Sequence, residues 1–127
     1  MSAIDTNDPI TAFRALEAAG RVRLRAEPEP ENYFDVYGRE SSPEHQAEME
    51  RIIERDGCWV AISEWFDGIE WHWADSIGMC VCANPLSPSE NEYVLDLMDS
   101  ALAALAQHEA SVAGEMVLAL GEAEELT

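Results

Sequence analysis

The chain has 127 residues, 47% of them hydrophobic, enough for one domain with its own core rather than a disordered acidic tail. It carries 26 acids against 7 bases, a formal charge of −19, and every base is arginine. A surplus of that size excludes direct contact with nucleic acid or an anionic membrane and favours a basic protein surface as partner.

The charge is unevenly placed. Residues 1–55 hold 7 Arg and 12 acids, net −5, whereas residues 56–127 hold 14 acids and no base, net −14. Salt adaptation would spread acid over the whole chain. Drift from Lys to Arg would not strip Arg from one half. No apolar run approaches the ~18 residues of a membrane span. The opening MSAIDTNDPITAF lacks the basic and apolar regions of a signal peptide, so the expected location is cytosolic. Three cysteines cannot close a disulfide framework, and all three are expected to be reduced.

Asp8 and Pro9 read as N-cap and first residue of a helix over about 9–19, with Ile10, Phe13 and Leu16 as its apolar stripe and Gly20 as its stop. From Arg21 to Ala26 the pattern alternates strictly, which predicts a strand with Val22, Leu24 and Ala26 inward and three arginines on the other face. The prolines at 28 and 30 force an extended connector. Tyr33–Tyr37, closed by Gly38, reads as a second short strand. Ser42 and Pro43 open the next helix, with Met49, Ile52 and Ile53 facing inward and Gly57 ending it.

Residues 57–83 hold all four tryptophans and all three cysteines. Asp67-Gly68 predicts a two-residue hairpin turn, pairing Phe66 with Ile69, Glu64 with Trp71, Ile62 with Trp73 and Val60 with Asp75. That face is mostly apolar. The opposite face, with Trp59, Ala61, Ser63, Trp65, Glu70, His72 and Ala74, reads as mixed and semi-exposed. A bulge is expected near Ser76 or Gly78. The run from Ser87 to Glu90 is a capping box with Pro88 at the first helical position. It predicts a helix to about residue 108 with Val94, Leu97, Met98, Ala101, Leu102 and Leu105 inward, then another short helix and a frayed acidic tail from about 121.

Three constellations could carry chemistry. A metal site from Cys58, His72, Cys80 and Cys82 has ligand spacings unlike the standard zinc classes, so no metal and no cofactor are expected. His72, near Glu70 or Glu64, is the one catalytic arrangement worth testing; no G-x-S-x-G, P-loop or H-E-x-x-H is present, and no catalytic residue is assigned. The acid array is the third. Glu92, Asp96 and Asp99 fall on the side of their helix opposite the apolar stripe. Glu92 to Asp99 would cover roughly 10 Å of helix, close to the charge spacing of one DNA strand. Glu90 extends the array, and the hairpin adds Glu64, Asp67, Glu70 and Asp75, with Trp65 and Trp59 as exposed anchors.

The Trp-rich hairpin, the run Asp75-Ser76-Ile77-Gly78 and the capped helix with Tyr93, over about residues 55–106, resemble small acidic proteins of phages and mobile elements. Within that class stand DNA mimics that inhibit CRISPR or restriction complexes. The resemblance implies a cytoplasmic inhibitor in a bacterial host.

The expectation is a single α+β domain over 1–127, a small, mainly antiparallel sheet with a central Trp-rich hairpin packed by about three helices. Its function is expected to be inhibition, by charge mimicry, of a nucleic-acid-binding complex such as a CRISPR surveillance complex. The alternative is an adaptor that binds a partner through the tryptophan-bearing sheet face; a small enzyme using His72 comes third.

Overall fold

A computed structural model describes residues 8–125, with side chains described for residues 8–115. The first seven residues, part of the stretch read for a signal peptide, and the last two lie outside the described residues. The order is α1 (Pro9–Ala18), β1 (Val22–Pro28), α2 (Tyr33–Tyr37), α3 (Pro43–Asp56), β2 (Trp59–Phe66), β3 (Trp71–Cys80) and α4 (Val94–Glu125). The strands form one antiparallel sheet in the order β1-β2-β3. The class is α+β, and the hairpin of β2 and β3 carries the tryptophans.

Local signals place most elements. The Asp8 carboxylate accepts from Ile10 N–H at 3.0 Å, and Ser42 Oγ caps α3 through His45 N–H at 3.1 Å. Gly57 ends α3 at φ +87°, where any side chain would collide with the indole of Trp59. The predicted strand at Tyr33–Tyr37 is instead a short helix. Asn32 caps it by accepting from Phe34 N–H, and Tyr33 and Tyr37 meet one turn apart at 4.9 Å between ring centres. Local capping overrides β-propensity there.

The hairpin differs from its predicted register. Residues 67–70 form a four-residue loop, so Phe66 pairs with Trp71, Trp65 with His72 and Glu64 with Trp73. Asp67 Oδ1 accepts from the N–H groups of Ile69 and Glu70 and widens the turn beyond Asp67-Gly68. Ala74 is an extra residue between the Glu64–Trp73 and Ser63–Asp75 pairs. A second irregularity, at Gly78 and Met79, lies where a bulge was expected; Met79 takes φ +55°. Its N–H donates to Glu29 Oε2 at 2.9 Å, which ties the bulge to the chain leaving β1.

The bulge at Ala74 and the pairing with β1 decide which face is covered. α1 and α4 pack together on the face bearing Val22, Leu24, Trp59, Ala61, Ser63, Trp65, Ala74 and Ile77. This is the face expected to be semi-exposed. The opposite face, which looked more apolar in the hairpin alone, also carries Arg23 and Arg25, facing Glu64 and Ile62. A face holding two guanidinium groups is costly to dry, whereas Ala61 and Ser63 let α4 approach closely. Phe13, Val22, Val94, Met98 and Ala101 are buried completely or nearly so.

α4 begins later and runs longer than expected. Residues 87–91 form turns, with the N–H groups of Glu90 and Asn91 both donating to Ser87 O, so the predicted capping box launches no helix. Asn91 instead fixes the turn that leads into the helix: buried, its side-chain oxygen accepts from Tyr93 N–H at 3.2 Å, and its amide donates to Pro85 O at 2.9 Å. The helix then continues through Glu125, taking in the separate short helix expected after residue 108. No proline interrupts it, and alanine dominates its sequence. α2 and α3 contain no buried residue; Met49, Ile52 and Ile53 are half-buried rather than inward. No helix among the described residues is long and apolar enough to cross a membrane.

Candidate functional site

Seven of the eight predicted acidic residues divide into two groups, and Glu70 stands apart at the hairpin tip beside His72. Glu64 belongs to the internal framework: it is 7% exposed, and its Oε1 accepts from Arg23 Nε and Arg25 Nε, each at 2.8 Å. Burial pushes its pKa up, but the bonds from Arg25 and Arg23 outweigh that and hold it below the usual range. Asp75 turns towards α4 and accepts from Ser100 Oγ at 2.9 Å. Asp67 organises its own loop. The hydrogen bond from His72, then those from the backbone of Glu70 and Ile69, hold its carboxyl at about 2.

Glu90, Glu92, Asp96 and Asp99 form the second group, all exposed around the start of α4. No ion pair among the described residues includes any of them. Each of the seven arginines lies within 3.9 Å of some other carboxylate: Glu17, Glu109, Glu64, Glu50, Glu48 or Asp56. The positive charge of the chain is thus taken up elsewhere. The late helix start changes two details of the array. Glu92 precedes the helix, so the predicted regular rise from Glu92 to Asp99 does not apply. Asp96 stands in the first turn, where the helix dipole favours an acid by about 0.3–1 kcal/mol. Asp99 stands beyond that turn, and the dipole does not account for it.

The tryptophans predicted as exposed anchors are built into the fold. Trp59 is half-buried in the core and donates from Nε1 to Asp56 O at 2.9 Å. Trp65, also half-buried, stacks on His72 with ring centres 4.5 Å apart and lies 5.0 Å from the ring of His108. The exposed indole is that of Trp73, 62% accessible on the face opposite α4. The inverted faces conceal this choice in the sequence: Trp65 and Trp73 exchange environments when the sheet is turned over.

His72 meets Asp67 and Glu70, not Glu64. Its Nε2 lies 2.7 Å from Asp67 Oδ2 and 3.8 Å from Glu70 Oε1. This carboxylate–histidine cluster sits at the hairpin tip. The cysteines do not converge with it. Cys58 Sγ contacts the Met79 thioether at 3.9 Å, and Asn91 reaches the buried Cys80 Sγ at 3.5 Å. Burial raises the pKa of all three thiols, which leaves them protonated and weakly nucleophilic near neutrality.

Comparison of the chain with protein-family models, with curated proteins and with solved structures finds no match, so any function has to be read from the chemistry of these side chains.

Proposed function

We propose that the protein is an acidic inhibitor that docks its carboxylates at the start of α4 on a Lys/Arg-rich surface of a nucleic-acid-binding complex and blocks access of DNA. One observation carries the reading. Glu90, Glu92, Asp96 and Asp99 are exposed and outside every described ion pair, while all seven arginines are engaged elsewhere. Uncompensated surface charge attracts and orients a basic partner over distances set by ionic strength. A CRISPR surveillance complex is the partner that the resemblance of residues 55–106 implies. Of the hairpin acids, Glu64, Asp67 and Asp75 serve the fold first, so the docking surface is narrower than the sequence implies.

The test is DNA binding by a CRISPR surveillance complex, followed by mobility shift with and without excess protein. The parent chain should displace DNA, with an inhibition constant that weakens steeply between 50 and 300 mM salt, roughly tenfold or more. The combined variant Glu92→Lys, Asp96→Lys, Asp99→Lys should lose inhibition while its circular dichroism spectrum is retained. Inhibition by the charge-reversed variant would rule out this surface; no inhibition by the parent at any salt would remove this class of partner.

Trp73 favours a second reading. Its exposed indole, near Trp71 on the helix-free side of the sheet, suits an adaptor that binds through an aromatic anchor. Binding by that route would tolerate salt and be lost in Trp73→Ala, with the acid variant unaffected.

A further inference from the structure

Asp67, Glu70 and His72 each place one ligand atom within 4.8 Å of the other two. We propose that these three side chains form a binding site for a divalent transition-metal ion of the zinc type at the tip of the β2–β3 hairpin.

Two of the three ligands are held before any ion arrives. Asp67 Oδ1 is occupied by the N–H groups of Ile69 and Glu70, at 2.6 and 2.8 Å, which aims Oδ2 at His72. The His72 ring is stacked on Trp65, 22° from parallel, so Nε2 faces the carboxylate. Backbone amides and an aromatic wall thus do what outer hydrogen bonds do in established metal sites: they fix the ligand orientation. Glu70, 70% exposed, is the adjustable third arm.

The distances suit one ion after small movements. With metal–ligand bonds of about 2.0–2.2 Å, tetrahedral ligand atoms stand roughly 3.4 Å apart. The Asp67–His72 contact must open from 2.7 Å, and the Glu70–His72 separation must close slightly from 3.8 Å. Both changes are within reach of a surface loop. An imidazole with two carboxylates selects zinc and its neighbours in the first transition row over calcium and magnesium, which take oxygen ligands alone. Water completes the fourth position. The site uses none of the carboxylates assigned to partner docking at the start of α4, so the two proposals stand or fall separately.

Calorimetric titration of the metal-free full-length protein with Zn2+, and with Ca2+ as control, tests the site. Zn2+ should bind saturably at one ion per chain, and Ca2+ at least tenfold more weakly. Glu70→Gln and His72→Ala should each weaken Zn2+ at least tenfold. Glu70 makes no hydrogen bond through its side chain within the loop among those described, so Glu70→Gln keeps the fold and decides the matter even if His72→Ala fails to fold. Zn2+ binding as tight in Glu70→Gln as in the parent, no saturable Zn2+ binding at all, or equal affinity for Ca2+ would overturn the proposal.

Discussion

The guanidinium carbon of Arg23 lies 4.0 Å from the ring centre of Trp71, on the face of the sheet opposite α4. The same side chain donates to Glu64, so one arginine joins a cation–π contact to an ion pair on the neighbouring strand. Trp71 is half-buried by this arrangement, whereas Trp73, two residues on, is 62% exposed. Replacing each by alanine should separate them. Trp71→Ala should cost about 1–2 kcal/mol in urea unfolding, from the lost cation–π contact and packing. Trp73→Ala should stay within about 0.5 kcal/mol of the parent. Equal losses at the two positions would contradict the difference in their burial.

Ser63 points at α4 and is fully buried, yet its Oγ has no hydrogen-bond partner among the described groups. An unsatisfied buried hydroxyl costs stability, while a methyl group of nearly the same shape does not. Ser63→Ala should therefore leave stability unchanged or raise it by up to about 1 kcal/mol. A loss above that in thermal or denaturant unfolding would reveal a partner for the hydroxyl.

Glu64 predicts an acid limb of stability. Its folded pKa is below the ordinary value of 4.5, so its ion pairs contribute fully above pH 4.5 and are lost as pH falls through the folded value. Glu64→Gln should destabilise by about 1–2 kcal/mol at pH 7, less than a fully buried pair because Arg23 and Arg25 are 41% and 39% exposed. The gap between variant and parent should narrow as pH drops below 4.5, because the parent then loses the same charge. A gap constant from pH 7 to pH 3 would show that packing, not charge, is what Glu64 supplies.

Salt should stabilise this protein. With −19 net and −14 of it after residue 55, self-repulsion among acids outweighs what screening takes from its exposed arginine pairs. The melting temperature should rise between 10 and 300 mM NaCl, and the combined reversal of Glu92, Asp96 and Asp99 should reduce the rise. A melting temperature that falls with salt would mean that the ion pairs dominate.

Much of the frame is legible in the residues alone. Asp8 with Pro9 and Ser42 with Pro43 announce two helices because a side-chain oxygen must satisfy the first free N–H groups. The alternation from Arg21 to Ala26 announces a strand, and the absence of any base after Arg55 announces a negative surface. These are local or compositional facts, readable without knowing what lies nearby in space. The stripe Val94, Leu97, Met98, Ala101 and Leu105 likewise identifies the buried side of α4, although the helix starts at Val94 rather than after Ser87.

Which face of the hairpin is buried was beyond the sequence. Read alone, the hairpin has its more apolar side at Ile62, Phe66, Trp71 and Trp73. Only the pairing with β1 shows that this side must share space with Arg23 and Arg25, and only the extra residue at Ala74 turns Asp75 and Ile77 to the helix side. The four-residue loop depends on Asp67 bonding its own backbone, and it is this loop that brings Glu70 and His72 beside Asp67. Composition and periodicity determined α1, α3, the buried stripe of α4, the first strand and the charge. The tertiary structure decided which tryptophan is exposed and which hairpin acids are engaged, because the first follows from strand pairing and the second from Glu64 meeting Arg23 and Arg25 on β1 and Asp75 meeting Ser100 on α4.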